Sequence, residues 1–235
     1  MRAVVRTPAE TVPSTVVRTL AVQMTLVGCA WLTLLLIHAS PYATYFGHGV
    51  LGESSVSPPT ALGLFATGWL LMLLAMMVPG ALPDLLRAVA RGSRASSWLA
   101  GNLAPWMLFG FAFAAADLVV HSVIAPRFPL AAAGAPVWLW LAAGTYHLIV
   151  MAPRDRGAAA RAERRAFLLG WRAGSRCLGT DWLLMLAVAG SHDQLLVMAA
   201  ATVVMGSRSY VGLPRWCHAL VALGMVTLGM AAAAG

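Results

Sequence analysis

The chain has 235 residues, of which 60% are hydrophobic and only 10% charged. A soluble domain carries about 25% charged residues, so a fully water-facing surface cannot be built here and part of the solvent must be lipid. The sixteen basic residues are all Arg and outnumber eight acidic ones. They sit in short blocks between apolar runs, which points to membrane topology and anionic headgroups rather than to nucleic acid.

A spanning helix needs about 20 largely apolar residues, and six such stretches are predicted in chain order. A comparatively polar N-terminal segment, 1–18, precedes the first, at 19–37. No convincing small-residue cleavage site follows that run, so it reads as a retained span and not a removed signal peptide. The second covers 61–78 and is expected to stop at Pro79 and Pro83, since proline removes a helix hydrogen bond. The third covers 98–124 and contains Asp117 and His121; the fourth covers 137–152 and is closed by Pro153. Between Arg154 and Arg176 lies a charged, Ala-rich stretch, expected to be a cytoplasmic helix on the membrane surface. The fifth span is placed at 179–205 and the sixth at 218–234.

This predicts one all-α domain, 19–235, a polytopic transmembrane helix bundle. The interruption Ser191-His192-Asp193-Gln194 leaves a seven-element alternative, with two short helices in place of the fifth span. The flanking apolar pieces are about a dozen residues each, too short to cross alone, so a single long span is preferred. Arginine assigns the sides. Arg2, Arg6 and Arg18, then Arg87, Arg91 and Arg94, then the Arg154–Arg176 stretch mark the cytoplasmic face and put both termini there. Arg208 and Arg215 are the discordant pair. The absence of Lys, with abundant Ala and Gly, suggests a GC-rich bacterial source and hence a multi-pass protein of the bacterial inner membrane. Its expected partners are lipids and either another membrane protein or a further copy of the chain.

Ionisable side chains within a bilayer are costly and are functional candidates by default. Cys177, Asp181, Met185 and His192 fall within roughly an 80° arc at about 100° per residue. They put thiol, carboxylate, thioether and imidazole on one helix face, a set suited to a soft or borderline metal such as copper. Met72 and Met76 share a face with Trp69, and Met77 is adjacent. Asp117 and His121 are four apart and can point to one place. His147 lies near the inner end of the fourth span, at a depth matching Met76, Met77 and Asp181. Each group also has a plain packing or hydrogen-bonding explanation. Cys29, Cys177 and Cys217 contain no CxxC and imply no disulfide framework. Phosphate-binding Gly loops, HExxH and GxSxG are absent, and nothing decides whether the chain is an enzyme.

Three segments carry a likeness to a known family: Trp69-x-x-Met72-x-x-x-Met76-Met77-x-Pro79, Gly144-x-Tyr146-His147, and Gly170-x-x-x-Gly174-x-x-Cys177-x-Gly179-x-x-Trp182-x-x-Met185. In order and spacing they resemble the uncharacterised bacterial family of predicted metal-binding integral membrane proteins, domain of unknown function 2182, over roughly residues 60–210. The resemblance implies a membrane metal-binding protein, with copper the expected metal. His147 stands where the family has Gln, and Asp181 where it has a second Cys. Three functions follow as expectations: copper handling or cofactor delivery; small-solute or proton-coupled transport using Asp117, His121, His192 and Asp193; or a non-catalytic scaffold subunit.

Overall fold

In hydrocarbon every backbone N–H and C=O must find a partner within the protein, and a helix achieves this within one segment. The computed structural model describes residues 13–43, 56–119, 142, 145–146, 166–189, 194–210, 224 and 227. Its elements are helices: α1 Ser14–His38, α2 Pro58–Ala90, α3 Ala95–Val119, α4 Ala166–Ala189 and α5 Gln194–Tyr210. No strand occurs among the described residues. Three of these helices, α1, α2 and α3, are long and apolar enough to cross a membrane; they correspond to the first three predicted spans. Ala142, Thr145, Tyr146, Gly224 and Thr227 are helical and fall within the fourth and sixth. The rest of those two spans, the first twelve residues and the stretch 154–165 lie outside the described residues.

α1 buries a single stripe, Gln23, Val27 and Ala30, while Leu20, Leu32, Leu35 and Leu36 on its other sides are exposed. A helix that is apolar all round yet open on most sides fits lipid as its solvent.

The second predicted span needs correction: α2 does not end at its prolines but runs through Pro79 and Pro83 to Ala90. Pro79 lacks the N–H that would serve the carbonyl of Ala75, four residues back. That carbonyl accepts the Trp31 indole N–H from α1 at 3.2 Å instead. A neighbouring helix thus repairs the ladder, which is how membrane helices tolerate interior proline. The helix stops where its backbone changes hand. Gly92 has φ +89°, and Gly92 N–H and Ser93 N–H donate to Val89 and Ala88 carbonyls at 2.8 and 3.0 Å, a Schellman closure that favours glycine at this position. At about 50 Å for its 33 residues, α2 exceeds a hydrocarbon core of about 30 Å.

The fifth predicted span is also redrawn. The structure has two helices, α4 and α5, and α4 begins thirteen residues before the expected start, at Ala166. Residues 166–176 are therefore not a separate surface helix; they are the first turns of α4, docked on α3. Glycine makes that docking feasible. A Cβ at Gly170 would overlap the Trp98 carbonyl oxygen, one at Gly174 the Asn102 carbonyl oxygen, and one at Gly101 the Phe167 carbonyl oxygen. Backbone meets backbone here, as in other small-xxx-small seams. Residues 190–193, between the two helices, lie outside the described residues.

α2 is the hub, packing on α1, α3 and α5, while α3 pairs most closely with α4. Partners ascend together along α3 and α4, from Trp98 with Gly170, through Asn102 with Gly174, to Phe109 with Trp182. The two helices therefore run parallel. α2 runs against them, with Leu82, Leu85 and Ala88 beside Trp98 and Trp69 beside Trp106, Phe109 and Phe113. Hence Arg87, Arg91, Arg94 and Arg172 share one end of the bundle.

Candidate metal centre

Antiparallel packing of α2 and α4 brings two of the sequence motifs together. Cys177 Sγ lies 3.8 Å from Met77 Sδ and 3.5 Å from Asp181 Oδ2, one turn further along α4. Met77 and Asp181 are buried, at 3% and 5% exposure, and Cys177 is half-buried. Each helix contributes for a local reason. On α4 the i, i+4 spacing stacks thiol above carboxylate. On α2 the small Ala75 lets Trp31 reach the carbonyl that Pro79 leaves open, fixing the turn that carries Met76 and Met77.

Thr180 completes the arrangement. Its hydroxyl lies 2.8 Å from the Cys177 carbonyl and 3.1 Å from Asp181 Oδ2, and its single proton serves one of them at a time. Beside it, the Tyr146 hydroxyl donates to the Gly179 carbonyl, and the Tyr146 ring meets Trp182 edge-on at 5.9 Å. Tyr146, a residue of the fourth predicted span, thus meets α4 within two residues of Asp181.

The donor set fits a soft cation. Two metal–sulfur bonds of about 2.3 Å at a tetrahedral angle put their sulfurs about 3.8 Å apart, which is the Cys177–Met77 separation. Thiolate and thioether are the ligands that select Cu(I), and Asp181 adds an anionic oxygen. Among the described residues no group of three His, Cys, Asp and Glu side chains could hold a metal, so a site here depends on the thioether.

The other predicted site residues divide. Met72, Met76 and Met185 are buried in the same core as Met77. Asp117 is half-buried near the end of α3; by the register that sets Asn102 against Gly174 it lies about twelve residues, or about 18 Å, beyond the level of Cys177, too far to join it. His121, His147 and His192 lie outside the described residues. Three contributors escaped the sequence reading. Thr180 had a signal in its i+3 spacing from Cys177, and Tyr146 one in the Gly144-x-Tyr146-His147 segment; Trp31 had none, because it acts across a helix–helix contact.

Comparison with known proteins bears on this geometry. No curated protein and no solved structure matches the chain. The sequence profile of the PpoB2 family, described as a copper chaperone, matches residues 66–232, a span holding every predicted metal-site residue and both halves of the Cys177–Met77 pair. This supports the copper-related reading under a different family name from domain 2182. With more than half its length matched, the chain belongs to the PpoB2 copper chaperone family.

Proposed function

We propose that this protein is a multi-pass membrane copper carrier that holds Cu(I) as cargo between Cys177 Sγ and Met77 Sδ, with the Asp181 carboxylate as third donor. The carrying observation is the 3.8 Å approach of the two sulfurs across α2 and α4, within a copper chaperone family. The Cys177 thiolate by itself offsets the single charge of Cu(I), the Thr180 hydroxyl lies against the Asp181 carboxylate, and the thioether keeps the site soft without adding another charge. Three apolar helices and arginines gathered at one end of the bundle support a home in the bacterial inner membrane with that end in the cytoplasm. Arg2, Arg6 and Arg18 favour a cytoplasmic N-terminus, and two helices in place of the fifth predicted span support the seven-element arrangement. His147 is proposed as a further donor, because its chain neighbour Tyr146 is tied to Gly179.

The test is an anaerobic titration of detergent-purified, full-length protein against a colorimetric Cu(I) chelator. The wild type should retain one equivalent, and Cys177→Ser and Met77→Leu should release it, while the exposed-site control Met24→Leu should not. A wild type that retains no Cu(I), or a Cys177→Ser variant that matches it, overturns the proposal.

A further inference from the structure

Met72, Met76 and Met77 on α2, Met185 on α4, and Met198 and Met205 on α5 all lie in one contiguous buried cluster, none more than 6% exposed. Met76 and Met72 follow Met77 back along α2, about 1.5 and 7.5 Å further from the arginine end. Met185 lies two turns beyond Cys177 on α4, about 12 Å along the axis. Because α4 is antiparallel to α2, that displacement points the same way, away from the arginines. Two helices therefore carry thioethers from the Cys177 centre in a common direction, and a third adds Met198 and Met205 to the same core.

Resting on the copper reading above, we propose that these methionines form a soft-donor path along which Cu(I) moves between the Cys177 centre and the end of the bundle opposite the arginines. A bare cation in an apolar interior is strongly disfavoured unless donors replace its lost hydration. Leucine would fill the same volume but offers no lone pair. Methionine supplies a polarizable sulfur on a long, flexible, neutral stem. A neutral thioether also lacks the opposing charge of a thiolate, so these positions bind Cu(I) more weakly than Cys177 does and pass it on. Transfer exchanges one Cu–S bond for another, with no change in oxidation state and no proton moved.

The test separates rate from affinity in the full-length protein. The variant Met72→Leu/Met185→Leu/Met198→Leu keeps side-chain volume and leaves Cys177, Asp181 and Met77 in place. It should hold Cu(I) at equilibrium as tightly as the wild type, yet load and unload about tenfold more slowly or worse, the scale on which lost supporting groups act at metal sites. In the unsubstituted protein, ¹³C-methyl methionine spectra recorded with Ag(I) beyond the first equivalent should show shifts for the methyls of Met72, Met76, Met185 and Met198 and none for Met24. This second measurement needs no variant to fold. Wild-type loading rates in the triple variant, or methyl shifts confined to Met77, overturn the path while leaving the Cys177 centre standing. A wild type that binds no Cu(I) overturns both.

Discussion

Cys177 is the residue on which copper retention should depend most, because it is the only thiol among the three donors. Replacing it by Ser exchanges a soft ligand for a hard one, and Cu(I) affinity should fall by more than about 100-fold, since supporting groups alone account for about 10- to 100-fold at metal sites. Asp181→Asn keeps the shape and the contact with Thr180 but removes the negative charge, so about a tenfold loss is expected. Competition titrations of both variants measure the two effects, and equal losses would refute the ranking. A different kind of residue effect belongs to Trp31, whose indole N–H serves the carbonyl that Pro79 leaves open. Trp31→Phe keeps the aromatic volume and deletes the donor, which should destabilise the bundle by about 1–3 kcal/mol, as for an unsatisfied buried acceptor. Denaturation in mixed micelles reads that difference.

Helix pairs decide which of these side chains meet. Pro79→Ala returns an N–H to the α2 ladder, so the Ala75 carbonyl no longer needs Trp31. In that background Trp31→Phe should cost measurably less than it does alone, a coupling of about 0.5–1.5 kcal/mol in a double-mutant cycle. Additive effects would show that the indole acts only by packing. The α3–α4 seam makes a second test. A methyl group at Gly174 meets the Asn102 backbone and one at Gly170 meets the Trp98 backbone, neither of which can rotate aside. Gly174→Ala should therefore destabilise by about 1–3 kcal/mol through overpacking. By moving α4 it should also weaken Cu(I) binding, although Gly174 touches no donor. Unchanged thermal stability and copper affinity would refute this account of the seam.

At the scale of the whole molecule, the parallel α3 and α4 and the opposed α2 set Arg87, Arg91, Arg94 and Arg172 at one end, and the positive-inside rule predicts a cytoplasmic location for that end. A periplasmic reporter enzyme fused after Glu53 should be active and one fused after Arg94 silent; the reverse pattern would invert the orientation. α1 lies before the family-matched residues 66–232, yet its Trp31 supports the turn of α2 that carries Met77. Deleting α1 should accordingly weaken copper retention along with stability, whereas a variant that loses only stability would separate the two roles.

The apolar runs, the arginine blocks and the Met and Cys motifs were legible in the chain because they depend on composition and on local period. They sufficed for an all-helical fold with helices apolar enough to cross a membrane, for a link to copper, and for naming Met77, Cys177 and Asp181 as candidates. Helix boundaries were less legible where a neighbour overrides a local rule. Proline predicts a stop at residue 79, but an indole 44 positions away supplies a partner for the open carbonyl. Arg172 and Arg176 suggest a surface helix, but Gly170 and Gly174 seat those turns on α3. The one-dimensional stripe predicted for the fifth span likewise could not say which of its four members would share a centre. That choice rests on the register of α2 against α4, fixed by packing between residues 100 positions apart, and a distance of that kind exists only once the helices have docked.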